Sequence, residues 1–206
     1  MNGPGDIKPS IVGDGLGPPE MNSHQLLRAA TQAPHERLHL HAGFSIVKNG
    51  TITLPDYRAL LVRLYGFYRP FEEAIGLGDI RTRWLESDLT WLGFDALNIS
   101  RIRLCVDLPT YDVPERRLGA HYVVEGSALG GRQLCRGLDP LLGRGSMEGR
   151  QFFAGRGAGT GEAWLGFLGR LAAVGPEPAG RATLVSAAVE TFEVFETWLN
   201  GWSDIK

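Results

Sequence analysis

Between Thr53 and Gly76 the chain repeats its apolar side chains with a period that only a helical backbone can use. Leu60, Leu61, Leu64, Tyr65, Tyr68, Phe71 and Ile75 fall at i, i+3, i+4 and i+7 spacing, the signature of one buried helix face. Thr53-Leu54-Pro55-Asp56 reads as the start: a hydroxyl cap, an acid three residues on, and Pro in the first turn, where its missing N–H costs nothing. Gly76 reads as the stop. Pro70 lies inside and predicts a kink. Such a long one-sided helix has to be covered, and further stretches with the same period supply the cover. Leu26, Leu27 and Ala30 precede Pro34; Arg83 to Leu92 is a short helical pattern; Asp112-Val113-Pro114-Glu115 repeats the cap logic before a helix expected to run to about Leu138. After a Gly/Arg loop over 143–161, two more helices are predicted at about 161–173 and 179–200. The second turns Leu184, Ala187, Ala188, Thr191, Phe192, Phe195 and Leu199 inward.

One stretch dissents. Ser45-Ile46-Val47-Lys48-Asn49-Gly50-Thr51-Ile52-Thr53 places Asn-Gly between β-branched residues, a hairpin signal. A lone hairpin is marginal, and its surroundings have helical period. The expected fold class is therefore all-α, a single-domain helical bundle over residues 21–206, preceded by a Gly- and Pro-rich tail at 1–20 that cannot build a core. The chain's 206 residues suffice for one sizeable core. A net charge of −2 calls for no nucleic acid, no apolar run approaches a membrane span, and the N-terminus lacks the basic-then-apolar order of a signal peptide. With Cys105 and Cys135 far apart and no C-x-x-C, free thiols and a cytoplasmic location are expected.

Two stretches point to chemistry. His35 closes the pattern Leu27-x-x-Ala30-Thr31-x-x-x-His35, where an imidazole could project into a gap between helices. A satisfied core or surface histidine is the plain alternative, and His39 and His41 are rivals, His39 one turn away on the same face. Gly126, Gly130 and Gly131 interrupt an otherwise helical pattern, and each interior Gly costs about 0.5–1 kcal/mol against Ala. Such a cluster asks for compensation, either close approach of a flat ligand or tight packing on another helix. Glu36-Arg37-Leu38-His39 has the E-x-x-H spacing of di-iron bundles, but no second E-x-x-H accompanies it. Gly155-x-Gly157-x-Gly159-x-Gly161 follows no strand and lacks Gly-Lys-Ser/Thr, so it reads as a flexible loop and not a phosphate cradle.

Taken in order, these stretches resemble the haem oxygenase family. The segment around His35 is similar to the family's proximal helix, whose histidine binds the haem iron, and Arg28 matches a basic position near the propionates. Tyr122-Val-Val-Glu125-Gly126-Ser127-x-Leu129-Gly130 resembles the distal helix of bacterial members that read E-G-S-x-L-G. The animal-type enzymes have Asp, which holds a distal water, where this chain has Ser127. Leu64-Tyr65-Gly66-Phe67-Tyr68 with Glu72-Glu73 resembles the L-Y-x-x-Y…E-E helix whose second tyrosine approaches the distal pocket. Asp88-Leu89 resembles the family's D-L pair, and Gly149-Arg-Gln-Phe152-Phe153 its G-x-x-F-F loop. Arg170 lands on a position that pairs with a propionate, a task suited to a guanidinium. The resemblance covers roughly residues 23–200.

The resemblance implies an enzyme that opens haem to biliverdin with release of iron and carbon monoxide, haem being both substrate and cofactor. It implies His35 as metal ligand, Arg28, Gly126, Gly130 and Arg170 as further haem contacts, and Gly126, Ser127 and Tyr68 around the reacting face. No flavin or nicotinamide motif is present, so an external electron donor, a reductase or ferredoxin-type protein, is expected, with a phytochrome as a recipient of biliverdin. A non-catalytic haem carrier or sensor on the same fold is the alternative, and a haem-free helical interaction module a third.

Overall fold

The computed structural model describes residues 21–204. The expected tail at 1–20 lies outside the described residues. Eleven α-helices and no strand occur among those described. They are α1 (Ser23–Leu40), α2 (Ala42–Lys48), α3 (Leu54–Ile75), α4 (Ile80–Trp91), α5 (Ala96–Ser100), α6 (Pro114–Ala128), α7 (Gly131–Gly137), α8 (Asp139–Leu142), α9 (Gln151–Ala154), α10 (Thr160–Ala172) and α11 (Pro178–Leu199).

α3 forms as its sequence predicts. The Thr53 hydroxyl accepts from the Asp56 amide, and left-handed Gly76 (φ 69°) ends the helix. All seven residues of the predicted inner face are buried, as are all seven named for α11. α11 packs along α6 and α1, and α3 packs against α4. At the α6–α11 crossing Gly119 is required, because a Cβ there would collide with the backbone carbonyl of Leu184.

The hairpin signal at 45–53 goes unused, as the all-α reading expects, and three other expectations are corrected. Ser45, Ile46 and Val47 are helical in α2, not strand; Asn49-Gly50 ends that helix, with the Gly50 amide on the Val47 carbonyl (3.0 Å) and the Thr51 amide on that of Ile46 (3.0 Å). An Asn-Gly pair serves a left-handed helix stop as well as a hairpin turn. The helix beginning at Pro114 stops at Ala128 instead of Leu138. Amides of Leu129 and Gly130 bond three residues back, to Gly126 and Ser127, which tightens the backbone and breaks the axis before α7. Asp112 does not cap α6: Val113 stands at that position with no side-chain bond. Finally, α1 runs through Pro34 to Leu40, so His35 lies inside the helix and not at its end.

α9 is a single turn inside the expected 143–161 loop, and it is tied down from three sides. The buried Asp88 carboxylate of α4 accepts from the amides of Gln151 (2.8 Å) and Phe152 (2.9 Å). Tyr57 of α3 donates to the Gly149 carbonyl (2.5 Å). The enclosed Arg150 guanidinium donates to Asp139 (2.6 Å) and to the carbonyls of Cys135 (2.9 Å) and Gly143 (2.6 Å). The Asp88 carboxylate and the two terminal nitrogens of Arg150 thereby find partners, Arg150 Nε has none among the described residues, and Phe152 and Phe153 are held against the cleft.

Candidate functional site

A cleft of about 460 Å³ opens between α1 and the broken α6–α7 segment, with α3, α4, α9 and α11 behind it. That volume lies within the usual range for small-molecule sites. Its walls are mainly apolar, with Leu64, Val124, Leu134, Phe152, Phe192 and Phe195 among them.

His35 faces this cleft from α1, with His39 one turn on. Burial lowers the pKa of His35, and the neighbouring His39 adds to the effect, so the imidazole is neutral at pH 7 with a nitrogen lone pair to offer. His41, the third candidate, points elsewhere: its ring lies against Trp202 and its Nε2 is 3.3 Å from the Leu199 carbonyl. Across the cleft come Gly126, Ser127 and Gly130. A Cβ on Gly126 would meet no atom within 4 Å, so no protein neighbour requires the glycine, and the space beside the backbone belongs to the cleft. Gly131 answers to a different demand, because a Cβ there would press on the Phe153 carbonyl at 2.5 Å. The glycine cluster thus divides into bare cleft wall at Gly126 and helix packing at Gly131.

Tyr68 lies buried at the cleft's inner edge. Burial raises the pKa of its phenol, and Arg81 and Ser127 nearby offset this only in part, so Tyr68 remains a hydrogen-bond donor throughout the physiological range. The Ser127 hydroxyl donates to the Val124 carbonyl at 2.9 Å. Behind Tyr68 stands a buried charged assembly that sequence reasoning missed. Glu72 accepts from the amides of Arg81 (3.0 Å) and Thr82 (2.9 Å) in the first turn of α4, a position where a carboxylate is stabilised. Arg81 donates to Glu125 at 2.9 Å, and Glu125 also receives Arg156 at 3.0 Å and meets Nε2 of His121 at 3.2 Å. Burial opposes the charge on Glu125, but His121, Arg81 and Arg156 outweigh it and hold the carboxyl at about 2. The clue available in the sequence was Glu125 itself, an acid on a face otherwise filled by Ala120, Val123 and Val124.

The two expected basic contacts stand outside the cleft. Arg28 is exposed on α1, two turns before His35, and Arg170 is exposed on α10, donating to Nδ1 of His121 at 3.3 Å. Neither lines the cleft. The physical reason is that α10 packs on the N-terminal half of α1, Trp164 against His24 and Tyr122 (ring centroids 5.7 and 6.0 Å), which ends the cleft short of both arginines. Among the described residues, the cations that do line it are Lys48, Arg81 and Arg156. No group of three or more His, Cys, Asp or Glu able to hold a metal occurs among the described residues, so Glu36-x-x-His39 has no companion ligands. No helix among them is long and apolar enough to cross a membrane.

Comparison with known proteins follows the same line. A family model described as heme oxygenase matches residues 21–201. No curated protein sequence matches significantly. Among solved structures, the chain is similar to the heme oxygenase from Leptospira interrogans, with 16% identity and a TM-score of 0.68 over 90% of this chain and 100% of that one. It is also similar to heme oxygenase-1 from the cyanobacterium Synechocystis sp. PCC6803 in complex with heme, with 18% identity and a TM-score of 0.62 over 88% and 93% of the two chains.

Proposed function

The chain belongs to the haem oxygenase family, and we propose that it binds haem between α1 and α6 and opens it to biliverdin, releasing iron and carbon monoxide. One observation carries this reading: an accessible neutral imidazole at His35 and main chain left bare at Gly126 and Gly130 line the same apolar cleft. The description of one similar structure as a complex with heme supports it.

The residues present fit a broad flat ligand. The apolar walls would favour burial of a porphyrin, and His35 would hold its iron on the α1 side. On the other side Gly126 and Gly130 leave room for the ring to approach the α6 backbone. When bound, haem would supply the redox-active iron and also the ring that is oxidised. The protein's part is to place, shield and protonate. Phe152, Phe192 and Phe195 exclude water from one edge of the cleft. Tyr68, kept protonated by burial and set beside Ser127, donates a proton or holds an ordered water on the Gly126 side. Electrons would come from a reductase or ferredoxin-type donor, and a phytochrome is a fitting recipient of the product.

Ser127 gives the second reading its motive. With its proton given to Val124, the Ser127 hydroxyl offers a water only a neutral acceptor oxygen where a carboxylate would offer charged ones, which would suit a haem carrier or sensor. Titration with hemin, then ascorbate or a ferredoxin system under air, separates the cases. The expected result is a stoichiometric Soret band that gives way to biliverdin absorption. No Soret band would reject both haem readings, and a Soret band that survives reduction under air would leave the carrier.

A further inference from the structure

Between α5 and α6, residues 103–112 run without helix, turn or bend. The side chains alternate along this run. Arg103, Cys105 and Asp107 line a hollow between α3 and α11, whereas Leu104 and Val106 take no part in it and are 38% and 82% exposed. That hollow shares no residue with the α1–α6 cleft. The backbone alternates as well. The Cys105 amide donates to the Gly66 carbonyl of α3 at 2.8 Å, and the Asp107 amide faces the Cys105 thiol. Gly66 admits the crossing, because a Cβ there would strike the Arg103 carbonyl. In an extended run the intervening amides and carbonyls point the other way, and those of Leu104 and Val106 have no hydrogen-bond partner among the described residues. Residues 103–108 are an edge strand without its neighbour, bounded by the turn at Arg101 and by Pro109, which lacks an amide.

The order of side chains says what fits that edge. Laid antiparallel on a second copy of itself, with the two Cys105 residues opposite each other, the run sets Arg103 against the partner's Asp107 and Asp107 against the partner's Arg103. Both side chains are exposed, and neither has an ion pair in its own chain among the described residues. Leu104 then faces Val106 of the partner subunit, and these are the pairs that exchange backbone N–H···O bonds. A parallel arrangement would set like charges side by side, and a slip of one residue would leave both charges unmatched. We propose that residues 103–108 pair antiparallel with the same segment of a second copy, making a two-fold symmetric dimer through an intermolecular ladder. So short an edge buries little, so the dimer is weak, forms at high concentration and leaves the α1–α6 cleft open. The pairing does not depend on the haem reading.

Sedimentation equilibrium of the full chain from about 1 µM to about 1 mM is expected to show monomer passing to dimer. Arg103→Asp and Asp107→Arg each turn both cross-strand charge pairs repulsive, and each should weaken the dimer at least about tenfold. Combining Arg103→Asp with Asp107→Arg restores opposite charges across the axis and should recover most of the wild-type affinity. Amide hydrogen exchange of the wild type reads the ladder without any substitution. Leu104 and Val106 should gain protection as concentration rises, while Cys105, bonded to Gly66, stays protected throughout. A chain that is monomeric over the whole range overturns the proposal, as do single variants as tight as the wild type or a double variant no tighter than the single ones. A dimer that leaves the Leu104 and Val106 amides unprotected overturns it too. So does protection of these amides that is equal at every concentration, since another segment of the same chain would then hold the edge.

Discussion

His35 and His39 meet edge to face on α1, ring centroids 4.4 Å apart and planes at 82°, and both line the cleft. Only one can stand centrally over a bound metal, and His35 has the better claim. Its ring also meets Phe192 of α11 edge-on, at 6.3 Å, which fixes its orientation. His35→Ala should abolish the histidine-ligated spectrum of the hemin complex, while His39→Ala should keep it. The reverse pattern in the Soret and visible bands would transfer the ligand role to His39.

Gly126 and Gly119, two turns apart on α6, predict opposite phenotypes. A side chain on Gly126 enters open cleft, so Gly126→Leu should keep the fold and exclude haem. A methyl on Gly119 runs into the Leu184 backbone, so Gly119→Ala should cost about 1–3 kcal/mol of stability despite Ala's higher helix propensity. Chemical denaturation read beside hemin titration distinguishes them. Normal haem binding by Gly126→Leu would refute the close-approach reading of that glycine.

Much of the framework was legible in the sequence because it is local. The period and caps of α3 and the inner face of α11 needed nothing beyond neighbours in the chain. What was not legible depends on contacts across the bundle. The break after Ala128 follows from carbonyl choices that apolar spacing does not encode, and Asn49-Gly50 suits a helix stop as readily as a hairpin. At the site, His35, Tyr68, Gly126, Ser127 and Gly130 do share one cleft, yet Arg28 and Arg170 do not join them. Their exclusion depends on how far α10 closes over α1, a long-range fact. The assembly of Glu72, Arg81, Glu125 and Arg156 draws on four separate elements or loops, and no spacing rule links them.

Asp88 and Glu125 give the stability profile two opposed slopes. Burial pushes Asp88 up from 3.8 to about 6, although the Phe152 and Gln151 amides favour its charged form. A raised carboxyl pKa stabilises the fold most below the unfolded value, and that contribution, about 3 kcal/mol, is lost as pH rises through 6. Asp88→Asn should remove this slope between pH 4 and 7. Glu125 behaves oppositely, since its depressed pKa contributes stability present above about 4.5 and lost as pH falls toward 2. Denaturant midpoints of wild type and Asp88→Asn across pH 3–7 check the signs; parallel curves for the two proteins would contradict the assignment.

Removing Glu125 alone should be severe, because the charge it leaves behind is enclosed. Arg81 would keep Glu72 at 3.6 Å but lose its 2.9 Å bond, and Arg156 would lose the acceptor it has at 3.0 Å. Breaking one partner of a buried pair typically costs about 3–5 kcal/mol. Glu125→Gln is expected near the lower end, since its amide oxygen can still accept from Arg81. A midpoint unchanged from wild type in urea would mean that the assembly contributes nothing to the fold.

Tyr68 and Ser127 are the polar groups nearest the bare stretch of α6, and their removal should separate binding from conversion. Tyr68→Phe deletes one oxygen from a buried ring that packs against Phe152 at 5.0 Å, so the packing survives. Ser127→Ala deletes a hydroxyl whose bond to Val124 is internal to the helix turn, so α6 also survives. Neither change touches His35, and hemin affinity and the Soret band should stay within twofold of wild type. Turnover is another matter, because a positioned donor typically contributes about 10²–10⁴-fold. Loss of the Tyr68 donor, or of the Ser127 oxygen set beside it, should slow conversion of the hemin complex by at least about tenfold under single-turnover conditions with excess reductant. If both variants convert at the wild-type rate, the proton must reach the Gly126 side by another route, and Arg81, the remaining buried donor lining the cleft, becomes the group to replace next.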